Sequence, residues 1–236
     1  MRPVTKGPSP RKDAYPHYRD ALDDLTDRLG SFCSYCEQQI QHRPEIEHVQ
    51  PKSLEPGLER CWENLLLGCA TCNQVKSNKS VNLDQVALPD RDNTFRGLSF
   101  HKDGRLEVSD DLTDPQAKLM KRVVRLVRLD RHPDCKNKDD RPTPRDKRAE
   151  LRRDVWDIAT EALNTFEKIG LQPTNSGRIA CLIVNLAVAK GFFSVWMTVF
   201  RDHPDMLNRF IQAFPGTDAG SFNNVGQPVS RAGGRF

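Results

Sequence analysis

The sequence lacks an apolar run long enough to form a membrane-spanning helix. Its most apolar segment, Ile179 to Phe200, is interrupted by Asn185, Lys190 and Gly191, whereas a spanning helix needs about 20 consecutive apolar residues. We therefore expect this segment to form a buried core helix. The first residues, "MRPVTKGPSPRKDAYP", contain no apolar run either. No signal peptide is predicted, and a cytoplasmic location is the expectation.

A strong excess of charge of one sign is also lacking. Lys and Arg total 36 against 32 Asp and Glu, a net charge of +4, which favours an anionic partner only weakly. The basic residues are unevenly distributed, because 14 Lys or Arg and 6 Asp or Glu lie between Lys118 and Arg153, an excess of +8. Such a block is either a solvated face or a nucleic-acid contact.

Local patterns in the first half predict a hairpin followed by a helix. Residues 45–49, "EIEHV", and residues 63–68, "ENLLLG", are predicted strands, and a helix is predicted from about residue 71 with Thr71 as its cap. A short amphipathic helix that ends at Gly30 precedes them.

The second half of the sequence is predicted to be mainly helical. A further hairpin turns at Asp103-Gly104 within residues 98–108. Helices are predicted at residues 113–130, 144–170, 176–200 and 205–214. Residues 1–14 are rich in proline and basic side chains and are interpreted as a mobile tail, and the glycine-rich residues 215–236 as a loop or tail.

Four of the seven cysteines form two C-x-x-C pairs, Cys33 with Cys36 and Cys69 with Cys72. Four thiolates suit tetrahedral zinc with sulphur at about 2.3 Å, so a structural zinc site is predicted. A thioredoxin-like redox site would need one pair beside a βαβ unit, and none is visible. Buried free cysteines would have no reason to occur as two pairs.

The remaining thiols and one histidine leave alternatives open. Cys61 is the nearest spare cysteine, and His42 could replace one of the four ligands. Cys135 is interpreted as a surface thiol and Cys181 as a packed apolar residue.

Polar residues between and just after the two C-x-x-C pairs form a candidate reaction site. Glu47 and His48 lie on the first predicted strand, Asn64 on the second and Asn73 in the first turn of the helix. Oxygen ligands with open positions suit Mg²⁺ or Mn²⁺, and histidine is the natural general base near neutral pH. Taken singly, each residue could equally be a hydrogen-bonded surface residue.

The segments "CSYC", "IEHVQPKS" and "WENLLLGCATCNQVKSNK" together resemble the signature of HNH nucleases, which have a ββα-metal fold with two zinc knuckles. The resemblance implies that His48 activates water for attack on phosphorus and that Asn64 holds the hairpin loop and so orients His48. Glu47 and Asn73 would be ligands of the catalytic Mg²⁺ or Mn²⁺, although aspartate is commoner at the position of Glu47. Lys76 and Lys79 would bind phosphate from the exposed helix face.

A narrower resemblance is to the retron- and Septu-associated HNH proteins, the PtuB-like family. It is carried by the Lys-Ser after the proline of "IEHVQPKS", the tryptophan of "WENLLLGCATCN" and the helical second half ending in "FPGTDAGSF". The resemblance implies a prokaryotic anti-phage effector whose partner is a PtuA-like ABC-type ATPase. The ATPase could dock on the segment "CLIVNLAVAKGFFSVW", which is otherwise part of the chain's own core.

The expected fold is α+β, with a small zinc-stabilised ββα-metal unit within a mainly α-helical chain. Between the two tails, residues 15–110 would form the nuclease domain and residues 111–214 a helical domain with a possible docking surface. The expected function is hydrolysis of phosphodiester bonds in nucleic acid, DNA or RNA. The alternative is a non-catalytic zinc-knuckle module that binds nucleic acid or a partner protein.

Overall fold

Two small antiparallel sheets and seven α-helices form the part of the chain that this computed structural model describes, residues 1–170 and 176–236. The strands are β1 Glu45–His48, β2 Leu65–Gly68, β3 Leu98–Phe100 and β4 Leu106–Val108. The helices are α1 Leu22–Leu29, α2 Ala70–Lys76, α3 Asp114–Val127, α4 Arg148–Thr165, α5 Ser176–Lys190, α6 Phe193–Val199 and α7 Pro204–Ala213. The mixture of helix and sheet agrees with the expected α+β class.

The first sheet pairs β1 with β2, and α2 follows β2 at once. Glu45 lies opposite Gly68 and His48 lies opposite Leu65. The predicted strands and helix are confirmed, but the predicted cap is wrong. Cys69, with an extended backbone, is the N-cap of α2, and its sulphur accepts a hydrogen bond from the Cys72 N–H. Thr71 already lies inside the helix, so its side chain cannot take that position.

The second sheet confirms the predicted hairpin at residues 98–108. Leu98 pairs with Val108 and Phe100 with Leu106. Gly104 forms the turn with φ of +86° and packs against the first turn of α4, where an added Cβ would lie 2.1 Å from the Ala149 carbonyl oxygen. The turn therefore requires glycine both for its backbone conformation and for its close approach to α4.

The helix predicted over residues 176–200 is two helices. α5 ends at Lys190, and both Gly191 and Phe192 have positive φ, +72° and +56°. The Phe192 N–H donates to the carbonyl oxygen of Glu37 at 2.9 Å, and an added Cβ at Gly191 would lie 2.7 Å from the same oxygen. The single-helix prediction is wrong because the cysteine-bearing loop packs into this point and breaks the helix.

The apolar segment at residues 179–200 is only partly a buried core helix. The first turns of α6 are buried, but α5 leaves the side chain of Leu182 60% exposed. Cys181 is exposed as well, so its prediction as a packed residue is wrong, and Cys135 is half-buried rather than a surface thiol. Across the described residues, no helix combines the length and the apolar character needed to cross a membrane.

Residues at both ends of the chain are packed against the rest of the molecule. Met1, Arg2, Val4 and Lys6 are buried, and the Arg2 guanidinium donates to the carbonyl oxygen of Leu29 at 2.8 Å. At the other end Phe236 is buried, and the Arg235 guanidinium pairs with the buried Asp92 carboxylate at 2.6 Å. Most of residues 1–6 are therefore packed, which corrects the predicted mobile tail there, whereas residues 7–14 are mostly exposed. Residues 215–236 are mainly loop, one of the two predicted alternatives, and the division between residues 15–110 and 111–214 stays a prediction.

We expect Gly104→Ala to lower the free energy of unfolding by about 2–4 kcal/mol, because the methyl group meets the α4 backbone at a positive φ. Gly177→Ala is the matched control. Gly177 lies in α5 at an ordinary φ with no atom within 4 Å of an added Cβ, so this change should alter stability by less than about 1 kcal/mol. Urea unfolding measures both, and equal effects would contradict the packing described at Gly104.

Candidate functional site

The four cysteines of the two C-x-x-C pairs form one buried cluster. Their sulphur atoms all lie within 4.8 Å of one another, and the sulphurs of Cys36 and Cys69 are 3.6 Å apart. Tetrahedral ligands about 2.3 Å from a zinc ion lie about 3.8 Å from each other, so the donor set and its spacing fit the ion. The cluster suggests a structural zinc site, with neither Cys61 nor His42 among the gathered groups.

Arg148, at the start of α4, makes direct contact with this cluster. Its side chain is 3% exposed, and its Nη1 donates to the Cys72 sulphur at 3.2 Å and to the Val127 carbonyl oxygen at 2.8 Å. Asp146 holds the other side of the guanidinium through two contacts of 2.8 Å. Burial alone would lower the pKa of Arg148, but the Asp146 carboxylate and the Cys72 and Cys36 sulphurs raise it above its ordinary value.

The basic block at residues 118–153 is therefore not a uniform solvated face. Arg148 and Arg152 are both 3% exposed, and the Arg152 Nε donates to the Gly104 carbonyl oxygen at 2.9 Å. These two arginines join the helical half to the second hairpin and to the cysteine cluster. Other members of the block, among them Lys121, Arg125 and Arg153, are exposed to solvent or to an anionic partner.

The His48 imidazole is held by a backbone carbonyl at the far side of the loop between β1 and β2. Its Nε2 lies 2.9 Å from the Glu59 carbonyl oxygen. A carbonyl oxygen only accepts, so Nε2 carries the proton and Nδ1 is the basic nitrogen. Burial lowers the pKa of His48, against the hydrogen bond to Glu59. The neutral form with a free Nδ1 can take a proton from water.

Asn64 fixes the loop that holds His48. Its Oδ1 accepts from the Gln50 N–H at 2.8 Å, and its Nδ2 donates to the carbonyl oxygens of Gln50 at 2.9 Å and Leu58 at 3.2 Å. Because Leu58 precedes the Glu59 carbonyl that meets His48, these contacts set the position of the imidazole. The contacts suit the expected orienting role of Asn64, which stays a prediction.

Glu47 and Lys76 form a buried ion pair. Their side chains are 1% and 2% exposed, with the Lys76 ammonium 2.7 Å from a Glu47 carboxylate oxygen and 2.6 Å from the His48 carbonyl oxygen. Burial raises the pKa of Glu47 to about 7, although the Lys76 ammonium acts in the opposite direction. The expected exposure of Lys76 on the helix surface is wrong, because β1 covers that face of α2. Lys79, by contrast, is exposed.

Asn73 lies beside a carboxylate that the sequence-based prediction did not include. Its Nδ2 donates to Glu45 Oε2 at 2.7 Å. An added Cβ at Gly68 would lie 3.3 Å from the Glu47 Cβ and 3.9 Å from the Asn73 Cβ, so these two side chains flank the same glycine. Carboxylate and amide oxygens around Gly68 fit a hard divalent cation by donor chemistry.

Three contributors to the site, including Glu45, were missed by the sequence-based prediction. Glu45 had a local signal, because it lies two residues before Glu47 on a strand and so shares its face. The Glu59 contribution had no sequence signal, because it comes from a backbone carbonyl that every residue has. Arg148 had no local signal either, because it lies 76 residues from its partner Cys72. The predicted residues Glu47, His48 and Asn73 lie on the expected strand and helix. Asn64 was predicted on the second strand but lies in the helical turn Trp62–Asn64 just before β2, where its N–H bonds to the Cys61 carbonyl oxygen.

We expect Arg148→Leu to lower the free energy of unfolding by about 3–5 kcal/mol, because the buried Asp146 carboxylate loses its closer partner and keeps only Arg131 at 3.6 Å. Loss of the N–H donor to the Cys72 sulphur should also weaken zinc binding about 10- to 100-fold. Urea unfolding and competition with a chromophoric chelator measure the two effects. Arg209→Leu, which removes the exposed pair with Asp205, should change stability by less than about 1 kcal/mol, and equal losses in the two variants would contradict this role.

A family model matches part of the chain. Residues 33–79 match the family model described as HNH endonuclease. This stretch begins at the first cysteine of the cluster and contains His48, Asn64 and Asn73, the residues whose contacts are described above. No curated protein matches the chain. The chain therefore carries an HNH endonuclease domain at residues 33–79, which supports a nuclease that acts on nucleic acid.

Proposed function

We propose that the protein is a metal-dependent endonuclease in which His48 is the general base. The observation that carries this proposal is the position of the His48 imidazole, with Nε2 bound to the Glu59 carbonyl oxygen at 2.9 Å. That contact leaves Nδ1 as the basic nitrogen within the segment that matches the HNH model.

The reaction is hydrolysis of a phosphodiester bond. His48 Nδ1 takes a proton from water, the water oxygen attacks phosphorus, and the bond from phosphorus to the leaving oxygen breaks. A proton from solvent or from the protonated His48 restores the leaving oxygen as a hydroxyl group. Asn64 keeps the imidazole in place through its hydrogen bonds to Gln50 and Leu58. The imidazole therefore has little rotational freedom left to lose when the transition state forms.

Glu47 and Asn73 are the residues we propose as ligands of a catalytic Mg²⁺ or Mn²⁺. Both flank Gly68 and both offer oxygen donors. When bound, such an ion would neutralise charge on the phosphate and stabilise the leaving oxygen. Glu47 would first have to release the Lys76 ammonium, and Lys76 and Lys79 are then the cations we propose for phosphate.

We further propose that the nuclease is the effector of a prokaryotic anti-phage system controlled by a PtuA-like ABC-type ATPase. The support is the resemblance to PtuB-like proteins in the sequence around His48 and Asn64. On α5, the exposed side chain of Leu182 is a place where such a partner could dock. Co-expression with an ATPase encoded beside the gene, followed by copurification, tests this part independently of the chemistry.

One observation favours the alternative, a non-catalytic zinc-knuckle module that binds nucleic acid or a protein. Glu47 is buried against Lys76 instead of facing a shared cavity with other acidic or histidine side chains. In the part of the chain that the structure describes, the cysteine cluster alone gathers three or more potential ligands of these types. The two functions differ in whether cleavage depends on His48.

Replacing His48 with alanine should lower the cleavage rate by about 10²- to 10⁴-fold, because the reaction loses its general base. Zinc content and thermal stability should stay unchanged. Plasmid DNA and total RNA, incubated with Mg²⁺ or Mn²⁺ in the presence and absence of the ATPase, report cleavage. The matched control is His42→Ala, since His42 is exposed and has no part in the mechanism. Cleavage that is equal in wild type and His48→Ala would remove His48 from the mechanism.

Asn73→Ala should weaken Mn²⁺ binding, because one oxygen donor of the proposed site is lost and Glu45 loses its amide partner. We expect a loss of about 10-fold or more, measured as the electron paramagnetic resonance signal of free Mn²⁺ in a titration without nucleic acid. Asn82→Ala, at an exposed position outside the matched segment, is the control. Identical Mn²⁺ binding by both variants would exclude Asn73 as a ligand.

A further inference from the structure

A turn of helix before α1 lies directly against the proposed base. Residues 18–21 form this turn, and the ring of Tyr18 meets the ring of His48 edge to face, with centroids 5.0 Å apart at 65°. The turn is fixed at its start, because the His17 Nδ1 accepts from the Arg19 N–H at 3.2 Å and the His17 N–H donates to the Asp20 carboxylate at 3.0 Å. Tyr18 is therefore held in place beside His48.

Two cations flank the Tyr18 ring. The Lys52 ammonium lies 4.1 Å from the ring centroid, and the Arg19 guanidinium carbon lies 5.7 Å from it. Both side chains are exposed. Lys52 also pairs with the Glu59 carboxylate at 3.0 Å, on the residue whose carbonyl oxygen holds His48. Two exposed basic side chains thus lie against the ring that contacts His48.

Tyr18 also borders a groove that leads to the other half of the proposed site. The groove has a volume of about 350 Å³, and Tyr18 and Arg19 line it together with Glu45 and Asn73. Tyr18 therefore stands between this groove and His48. A nucleic-acid strand with its scissile phosphate between His48 and Asn73 would place a neighbouring nucleotide against the Tyr18 ring.

We propose that Tyr18, Arg19 and Lys52 form a substrate-binding wall that takes an unpaired nucleotide next to the cleaved bond. Arg19 and Lys52 bind phosphate oxygens, and Tyr18 stacks with the base. The His17 ring already stacks on Tyr18, with centroids 4.8 Å apart at 27°. A cation–aromatic contact at an exposed site is weak, so the Lys52 ammonium can move to a phosphate and leave the part of the ring that it covers to the base. This proposal rests on the proposed nuclease function and assigns it a preference for single-stranded segments.

A base inside a duplex is stacked on both sides by its neighbours, so it cannot also lie against the Tyr18 ring unless it leaves the stack. Cations alone would bind the phosphates of either form. The aromatic ring is therefore the part of the wall that distinguishes single strands from duplexes. Removal of the ring and removal of a charge should have different effects on binding.

The test measures binding in a His48→Ala background, so that the probe is not cut. The probes are a fluorescein-labelled oligothymidine strand of about 12 nucleotides, the oligouridine equivalent and the annealed DNA duplex, followed by fluorescence anisotropy. Tyr18→Leu should weaken binding of the single strands about 5- to 100-fold and of the duplex much less, because only the single strand can stack. Tyr18→Phe, which keeps the ring, should stay within about 2-fold of the background.

Lys52→Ala and Arg19→Ala should weaken binding to all three probes, because each removes a cation that binds phosphate. Each change should also reduce the slope of log Kd against log salt by about 0.7 for every phosphate of a single strand that is no longer neutralised. Lys102→Ala, at an exposed position in the turn between β3 and β4, should leave affinity and slope unchanged.

Tyr18→Leu and Tyr18→Phe are compared only if their zinc contents and melting temperatures agree. Where Tyr18→Leu does not fold, the background protein with Tyr18 intact decides the test: duplex binding as tight as single-strand binding would overturn the single-strand preference, and unchanged salt slopes in Lys52→Ala and Arg19→Ala would overturn the phosphate contacts.

Cleavage assays with His48 intact separate the two proposals. Cleavage by the wild-type chain, together with unchanged binding in Tyr18→Leu, Lys52→Ala and Arg19→Ala, would overturn the wall and leave the nuclease standing. Weaker binding in these variants without any cleavage by the wild-type chain would support the wall and refute the nuclease. Equal losses for single strand and duplex in Tyr18→Leu would overturn the stacking role of Tyr18.

Discussion

The burial of four cysteine sulphurs in one place is the constraint on which the rest of this structure depends. Each sulphur comes from one end of a C-x-x-C turn, so the cluster fixes the turn at Cys33 and Cys36 against the start of α2. Because β2 leads directly into α2, this fixes the position of β2, and β1 pairs with β2. A zinc ion bound by four thiolates keeps net negative charge, and such charge is costly to bury without a partner. Arg148 supplies that partner from α4.

The buried Glu47–Lys76 ion pair is a second link within the unit formed by β1, β2 and α2. It joins β1 to α2 across the interior, with the ammonium also bonded to the His48 carbonyl. Two charges removed from water are stabilised there only as long as both remain. A cation that competes with Lys76 for the Glu47 carboxylate would therefore act on the geometry of β1 as well as on its own ligands. Metal binding and the placement of His48 would be coupled through a single carboxylate.

Local sequence patterns predicted the first hairpin, α2 and the cysteine cluster, because strand alternation, helix spacing and paired thiols are each set within a few residues. The same patterns gave the strand position of His48. Local patterns could not predict the burial of Lys76, because a lysine among polar neighbours on a helix is ordinarily solvated. Lys76 is buried only because β1 packs over it. The break at Gly191 likewise depends on Glu37, whose carbonyl oxygen approaches from a distant part of the chain. Tertiary contacts of this kind override local propensity.

The carboxylate of Glu37 has a consequence for the order in which the chain can assemble during translation. It accepts from the Ser194 N–H and hydroxyl, and those partners follow it by 157 positions. Arg148 likewise follows Cys72 by 76 positions. The segment that carries His48 leaves the ribosome well before either partner has been synthesised, and contacts between distant residues form late because a long loop must close first. A nascent chain would thus hold the segment that carries His48 in an incompletely packed unit until Ser194 had been synthesised.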